Sequence, residues 1–137
     1  MTPKAILFNR KDSKLFFKTL NKRVNNYFNE KNISKSGNWK LWLKTFVMFS
    51  LLLAPYILIS ILTIPSWLQI TLSIIMGIGL AGVGMNVMHD GNHGSFSNKK
   101  WINRLMGGSI YILAGKRYNW QVQHNVLHHT YTNIHGH

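Results

Sequence analysis

A chain of 137 residues supports one domain, and the absence of cysteine rules out disulfides and thiolate metal sites. The net charge of +13 is compatible with nucleic-acid binding, but the basic residues form two blocks flanking a long apolar region, the pattern of a membrane protein and its anionic lipids. Nucleic acid is therefore not expected as a partner. The near-zero mean hydropathy would suit a soluble protein, yet it averages over segregated segments. Residues 1–44 hold eleven Lys/Arg and two acids, 45–98 hold one acid and no Lys or Arg, and 99–137 hold five Lys/Arg and no acid.

No apolar core follows the first basic residues, so the N-terminus does not read as a cleavable signal. Asp12 or Ser13 can cap a helix running to about Asn29. Along it Phe16, Leu20, Val24 and Tyr27/Phe28 recur at helical spacing, with Lys14, Lys18, Lys22 and Arg23 off that stripe. Such a helix fits either the membrane interface or packing against another part of the protein. Lys31 to Gly37 is a polar break, and Ser36 or Asn38 can cap the next helix. The Asn32-Ile33-Ser34 sequon falls on the expected cytoplasmic side and is discounted.

Trp39 and Trp42, beside Lys40 and Lys44, precede the first apolar run as interfacial aromatics do. Thr45 to Ile64 is twenty residues without charge, enough to cross a hydrocarbon core of about 30 Å, and Pro55 predicts a kink. After Ile64-Pro65-Ser66 comes a second run, Trp67 to Met88. The two form a helical hairpin. The lysines before it and Lys99, Lys100 and Arg104 after it assign both ends to the cytoplasm. Gly77-Ile78-Gly79-Leu80-Ala81-Gly82 matches the dinucleotide fingerprint in form only. It follows no strand, lies in mid-span and has no acid about twenty positions later. With Gly84 it predicts close helix contact in lipid instead.

All seven histidines lie between His89 and His137. His89 and His93 are four apart, as are His124 and His128, so on a helix each pair shares a face and can converge on a metal. His129 lies about a third of a turn further round, within reach of a second ion or the far side of the first. Asp12, Glu30 and Asp90 are the only acids, so a carboxylate-rich di-iron bundle cannot be built and any metal site must be rich in histidine. Imidazole suits iron, zinc, copper or nickel.

Between the pairs, Ser95 to Lys100 is a polar turn, and Leu105 to Ala114 is ten apolar residues, about 15 Å as a helix and too short to cross. Both pairs are therefore expected on one side of the bilayer. Asp90 either orients a ligand by accepting its other ring N–H or serves as a cap. Asn92 and Asn125 are alternatives for the same role. His135 and His137 are ligands, outer-shell donors or plain surface residues.

The text Met-His-Asp-Gly-Asn-His-Gly-Ser-Phe-Ser and His-Asn-Val-Leu-His-His-Thr-Tyr-Thr-Asn resembles the first two histidine boxes of the membrane fatty acid desaturases, in particular the acyl-CoA and front-end branch. The resemblance covers the chain from about Trp39 onward. It implies His89, His93, His124, His128 and His129 as metal ligands, and two irons that use O2 to place a cis double bond in a fatty acyl chain. The family's third box, Gln or His followed by His-His, is not in this sequence. The chain therefore reads as the N-terminal part of such an enzyme, inactive alone. The first 44 residues are too short for a fused cytochrome, so a separate electron donor of ferredoxin or cytochrome b5 type is expected. Acyl hydroxylases and related histidine-box oxygenases share the metal logic, and a non-catalytic metal-binding membrane protein is the alternative of another class.

The expected fold is all-α and integral to the membrane. Residues 1–44 form a basic cytoplasmic or interfacial segment, 45–88 a transmembrane helical hairpin (spans at about 45–64 and 67–88), and 89–137 a cytoplasmic region of histidine-bearing helices.

Overall fold

The computed structural model describes residues 13–132, so the expectations for Asp12, His135 and His137 lie outside it. The described residues are helical, with no strand among them. They fall into two compact units, within residues 1–35 and 36–137.

The first unit holds α1 (Ser13–Glu30), none of whose residues is buried. Its end is closed by Asn32 in the left-handed region (φ 49°), which lets Ile33 N–H return to the Phe28 carbonyl at 3.1 Å. Asparagine tolerates that conformation better than most residues, which is why the helix stops there. Phe16, Leu20, Val24 and Tyr27 are all exposed, leaving the apolar stripe open.

In the second unit α2 (Trp39–Ile61) begins six residues before the expected span and ends three before its limit. Asn38 is the cap, its Oδ1 accepting from Lys40 N–H at 3.0 Å, while Ser36 bonds to Asn98. At the far end Pro65 biases Ile64 toward an extended backbone, and the helix stops short. Pro55 lies inside α2 and is buried.

The second run is α3 (Ser66–Gly82), which passes through a π-helical turn (Val83–Met88) into α4 (His89–His93). Ser66–His93 is thus one helix of 28 residues, and the boundary expected at 88/89 is not a break in structure. Both hairpin helices are long and apolar enough to cross a membrane. A Cβ on Gly79 would lie 2.5 Å from the Leu52 nitrogen, and one on Gly82 would strike the Met48 side chain. Those two glycines make the close contact expected of the small residues. Gly77 has nothing within 4 Å.

The core is small: Leu52, Val83, Val87 and Phe96, flanked by Leu41, Met48, Phe49, Met76, Ile102 and Met106. Phe96 belongs to the loop after α4, is fully buried, and meets Trp42 edge-on at 5.0 Å between centroids. Burying a phenylalanine is worth about 1.5–3 kcal/mol, so this ring anchors the loop against the start of α2. By contrast Phe46, Ile61, Ile70 and Ile74 on the hairpin are more than 60 % exposed, as befits faces meant for lipid.

α4 ends at Gly94, whose φ of +74° needs no Cβ, and Ser95 N–H returns to the Asp90 carbonyl at 3.0 Å. Asn103 then fastens the turn: its Nδ2 donates to the Gly94 and Ser97 carbonyls (3.0 and 2.7 Å), and its Oδ1 accepts from Ser97 N–H (2.8 Å). α5 (Lys100–Gly108) gives way to a 3-10 turn (Ser109–Tyr111), so the apolar stretch 105–114 is not one helix. Gly107, Ser109 and Ile110 are buried while Leu105, Tyr111 and Ile112 are exposed. Nine α-helical residues reach about 13 Å, far short of a hydrocarbon core. After Ala114 (φ 56°), α6 (Arg117–Trp120), a second π-helical turn (Gln121–His128) and α7 (His129–Tyr131) follow without a break.

Candidate metal centre

The first histidine pair rides on the end of the long second helix, and its ring centroids are 4.5 Å apart. The second pair rides on the helix through α6 and α7. The two helices meet at their histidines. His89 Nε2 and His124 Nε2 are 3.2 Å apart, and His89, His93 and His124 each offer a ring nitrogen within 4.8 Å of the others. His129 completes the group, with centroids 5.1 Å from His93 and 4.9 Å from His124. Among the rings of the described residues His128 meets His124 (5.2 Å) and His129 (5.5 Å), at the edge of the cluster.

The spacing expected of a regular α-helix is corrected here. His124 and His128 lie in a π-helical turn, in which i→i+5 hydrogen bonds put more residues into each turn. Positions four and five apart then both return to the face of His124, so His129 comes inward rather than a third of a turn away. Such turns are rare and frequent at functional sites, and a second one lies directly before His89.

The donor chemistry fits a metal. With metal–nitrogen bonds of about 2.1 Å, two imidazoles on one ion hold their nitrogens roughly 3.0–3.4 Å apart. The 3.2 Å between the Nε2 atoms of His89 and His124 lies in that range. The other nitrogen of His89, Nδ1, lies 3.3 Å from Asp90 Oδ1, a long contact of the kind by which outer-shell carboxylates orient a ligand when it shortens. A proton on Nδ1 facing that carboxylate would leave Nε2 with its lone pair toward the cluster. The pKa of His124 is lowered from its usual value by burial first, then by the neighbouring His89, His129, His93 and His128. Lowering keeps the ring neutral and able to ligate.

The two asparagines part company with Asp90. Asn92 is buried and turned away, with Nδ2 donating to the Gly107 carbonyl (3.2 Å) and contacting Met88 Sδ (3.2 Å). It joins α4 to α5 rather than serving the histidines. Asn125 Oδ1 is buried without a partner among the described residues.

Sequence reasoning passed over Trp120. Its ring stacks on His124 (4.4 Å, 20° between planes) and meets His93 at 5.4 Å and His89 at 5.7 Å nearly perpendicularly. The available signal was its position four residues before His124, the spacing that the histidine pairs themselves use.

Residues 65–137 match the family model described as fatty acid desaturase. The chain is 39% identical over 122 residues to an sn-1 linoleoyl-lipid 6-desaturase of Arthrospira platensis, covering 89% of this chain and 33% of that protein. It is 32% identical over 137 residues to the enzyme of the same name from Synechocystis sp., covering all of this chain and 38% of that one. An acyl-lipid (8-3)-desaturase of Mortierella alpina is 32% identical over 126 residues, 89% of this chain and 28% of the relative. The chain thus spans about a third of the length of these curated relatives. No solved structure matches it. The histidine spacing, the apolar hairpin and a family match over more than half the sequence converge: the chain belongs to the fatty acid desaturase family.

Proposed function

We propose that this chain is the part of a membrane-embedded, O2-dependent fatty acyl desaturase that carries two of its histidine clusters. The observation that carries the reading is the convergence of His89 and His93 with His124, 31 positions beyond His93 in sequence and on a different helix, on one small volume. His89, His93, His124, His128 and His129 are the proposed ligands, and iron is the proposed metal, two ions per enzyme. Five imidazoles do not fill two coordination spheres, so further ligands complete them. His135, His137 and Asn125 are outer candidates, and Asp90 orients His89.

Iron bound there supplies oxidation by O2 strong enough for an unactivated C–H bond. In the net reaction two hydrogens leave adjacent methylenes and a cis double bond forms. With two electrons from a separate donor and two protons, they reduce O2 to two waters. The donor is of ferredoxin or cytochrome b5 type. The acyl carrier is a lipid, a choice supported by the names of the relatives, linoleoyl-lipid and acyl-lipid desaturases. The hairpin of residues 45–88 holds the tail out of water. Residues 89–137 lie on the cytoplasmic side with the basic segment 1–44, whose α1 lies in the interface.

Mass spectrometry of lipids from cells expressing the complete gene product tests this. Loss of two hydrogens from an acyl chain is expected. Gain of an oxygen atom would make the enzyme a hydroxylase, and unchanged lipids alongside bound zinc would make it a non-catalytic metal protein.

A further inference from the structure

Metal-bound histidines are normally aimed by a hydrogen bond from the ring nitrogen that does not ligate. His89 has that device in Asp90. His124 does not: among the described residues its only polar contact is the one between its Nε2 and His89. What it has instead is Trp120, stacked on its ring at 4.4 Å and 20°. The same indole stands nearly perpendicular to His89 (85°) and His93 (73°), so it touches all three members of the closest group.

We infer that Trp120 is the positioning residue of the metal centre, holding the His124 ring in the plane that aims its Nε2 at His89 and His93. A parallel ring at stacking distance opposes rotation of the imidazole about its Cβ–Cγ bond, a torsion with only a broad intrinsic preference. The indole offers no lone pair to a metal, so it orients without competing for the ion. Its neighbours on the same helix confirm the economy of the arrangement. Trp120 and His124 are four positions apart, as are His124 and His128, whose rings lie 5.2 Å apart at 29°. The three rings thus form a continuous stack along one face, with Trp120 as its closed end.

The inference rests on the metal reading and is tested separately from it. The purified complete protein is titrated with Co(II) as a spectroscopic probe, following the ligand-field absorption and tryptophan fluorescence in the wild type, Trp120→Phe and Trp120→Leu. Phenylalanine keeps a stacking ring; leucine keeps apolar bulk without one. Trp120→Phe is expected to bind within about threefold of the wild type, while Trp120→Leu loses about 10–100-fold in affinity, the usual effect of an outer-shell partner, and shifts the ligand-field band. Equal affinity and an unchanged band in Trp120→Leu would overturn the inference, as would equal losses in both variants, which would mark the indole's bulk rather than its stacking. A wild type that takes up no Co(II) would instead overturn the metal centre itself.

Discussion

Gly91 lies against the backbone of Gly107, so closely that a Cβ on Gly91 would stand 2.8 Å from the Met106 carbonyl carbon and 2.9 Å from the Gly107 Cα. This contact holds α5 against α4, the helix that carries His89 and His93. A Cβ on Gly107 would in turn meet Asn92, the residue that bonds back across the same junction. The first histidine pair is therefore supported from behind by two glycines that touch no metal.

Gly91→Ala is expected to cost about 1–3 kcal/mol, the usual penalty for overpacking against backbone. Thermal unfolding in detergent measures it. Gly108→Ala is the control, since nothing lies within 4 Å of a Cβ there, and its melting temperature should stay near that of the wild type.

The inner histidines and His128 should separate in metal analysis. His89→Ala, His93→Ala and His124→Ala each remove a nitrogen from the closest group, so each should lower metal content sharply. His128 stands at the edge, and His128→Ala should leave the ion held by the other three in place while still abolishing turnover. Elemental analysis beside an activity assay reads both. Full metal content in His124→Ala would remove that residue from the ligand set.

Stability of the metal-free protein should depend on pH through His93 and His124, whose folded pKa values are both lowered, chiefly by burial. Each unfolded ring, near 6.5, takes up its proton first as pH falls. The unfolded state then holds more protons than the folded one, so stability is level above about 6.5 and declines as pH drops from there toward the folded value. His124→Gln should make that decline shallower, His93 leaving a remainder, in a melting-temperature series from pH 7.5 to pH 5. Metal occupancy of the wild type should fall over the same interval, because protons compete with the ion for the ring.

The absence of cysteine makes single-cysteine labelling clean. Spin labels at Phe16, Leu20, Val24 and Tyr27 should report lipid depth in anionic nanodiscs, and labels at Lys14, Lys18 and Lys22 should report water. Equal accessibility around α1 would mean that the helix does not lie on the membrane. Protection of the stripe in detergent as well as in lipid would mean that protein covers it.

Much of this was legible in the residues. The two apolar runs were long and free of charge, so their identity as helices needed no tertiary information, and only their ends moved. Asn38 extended one by capping it early, and Pro65 cut its far end. The stretch after His93 was too short to cross a bilayer, which led to the expectation that the two histidine pairs lie on one side of it and can meet. What did not show was the π-helical turn at Gln121–His128. No side-chain pattern separates one extra residue per turn from a regular helix, so helical spacing alone set His129 about a third of a turn further round, whereas its ring lies 4.9 Å from that of His124.

By itself the sequence determined the donor set: seven histidines, three acids and no cysteine leave imidazole as the only plentiful ligand. It also determined the hairpin, because long uncharged runs can satisfy their backbone groups in lipid only as helices. The tertiary structure alone decided which imidazoles face one another, that Asp90 Oδ1 lies 3.3 Å from His89 Nδ1, that Asn92 bonds to the Gly107 carbonyl of α5, and that Trp120 lies against His124. The physical reason is that ligand geometry depends on helix rotation and close backbone approach. Those are set by contacts such as Gly91 on Gly107, between residues that spacing along the chain does not pair.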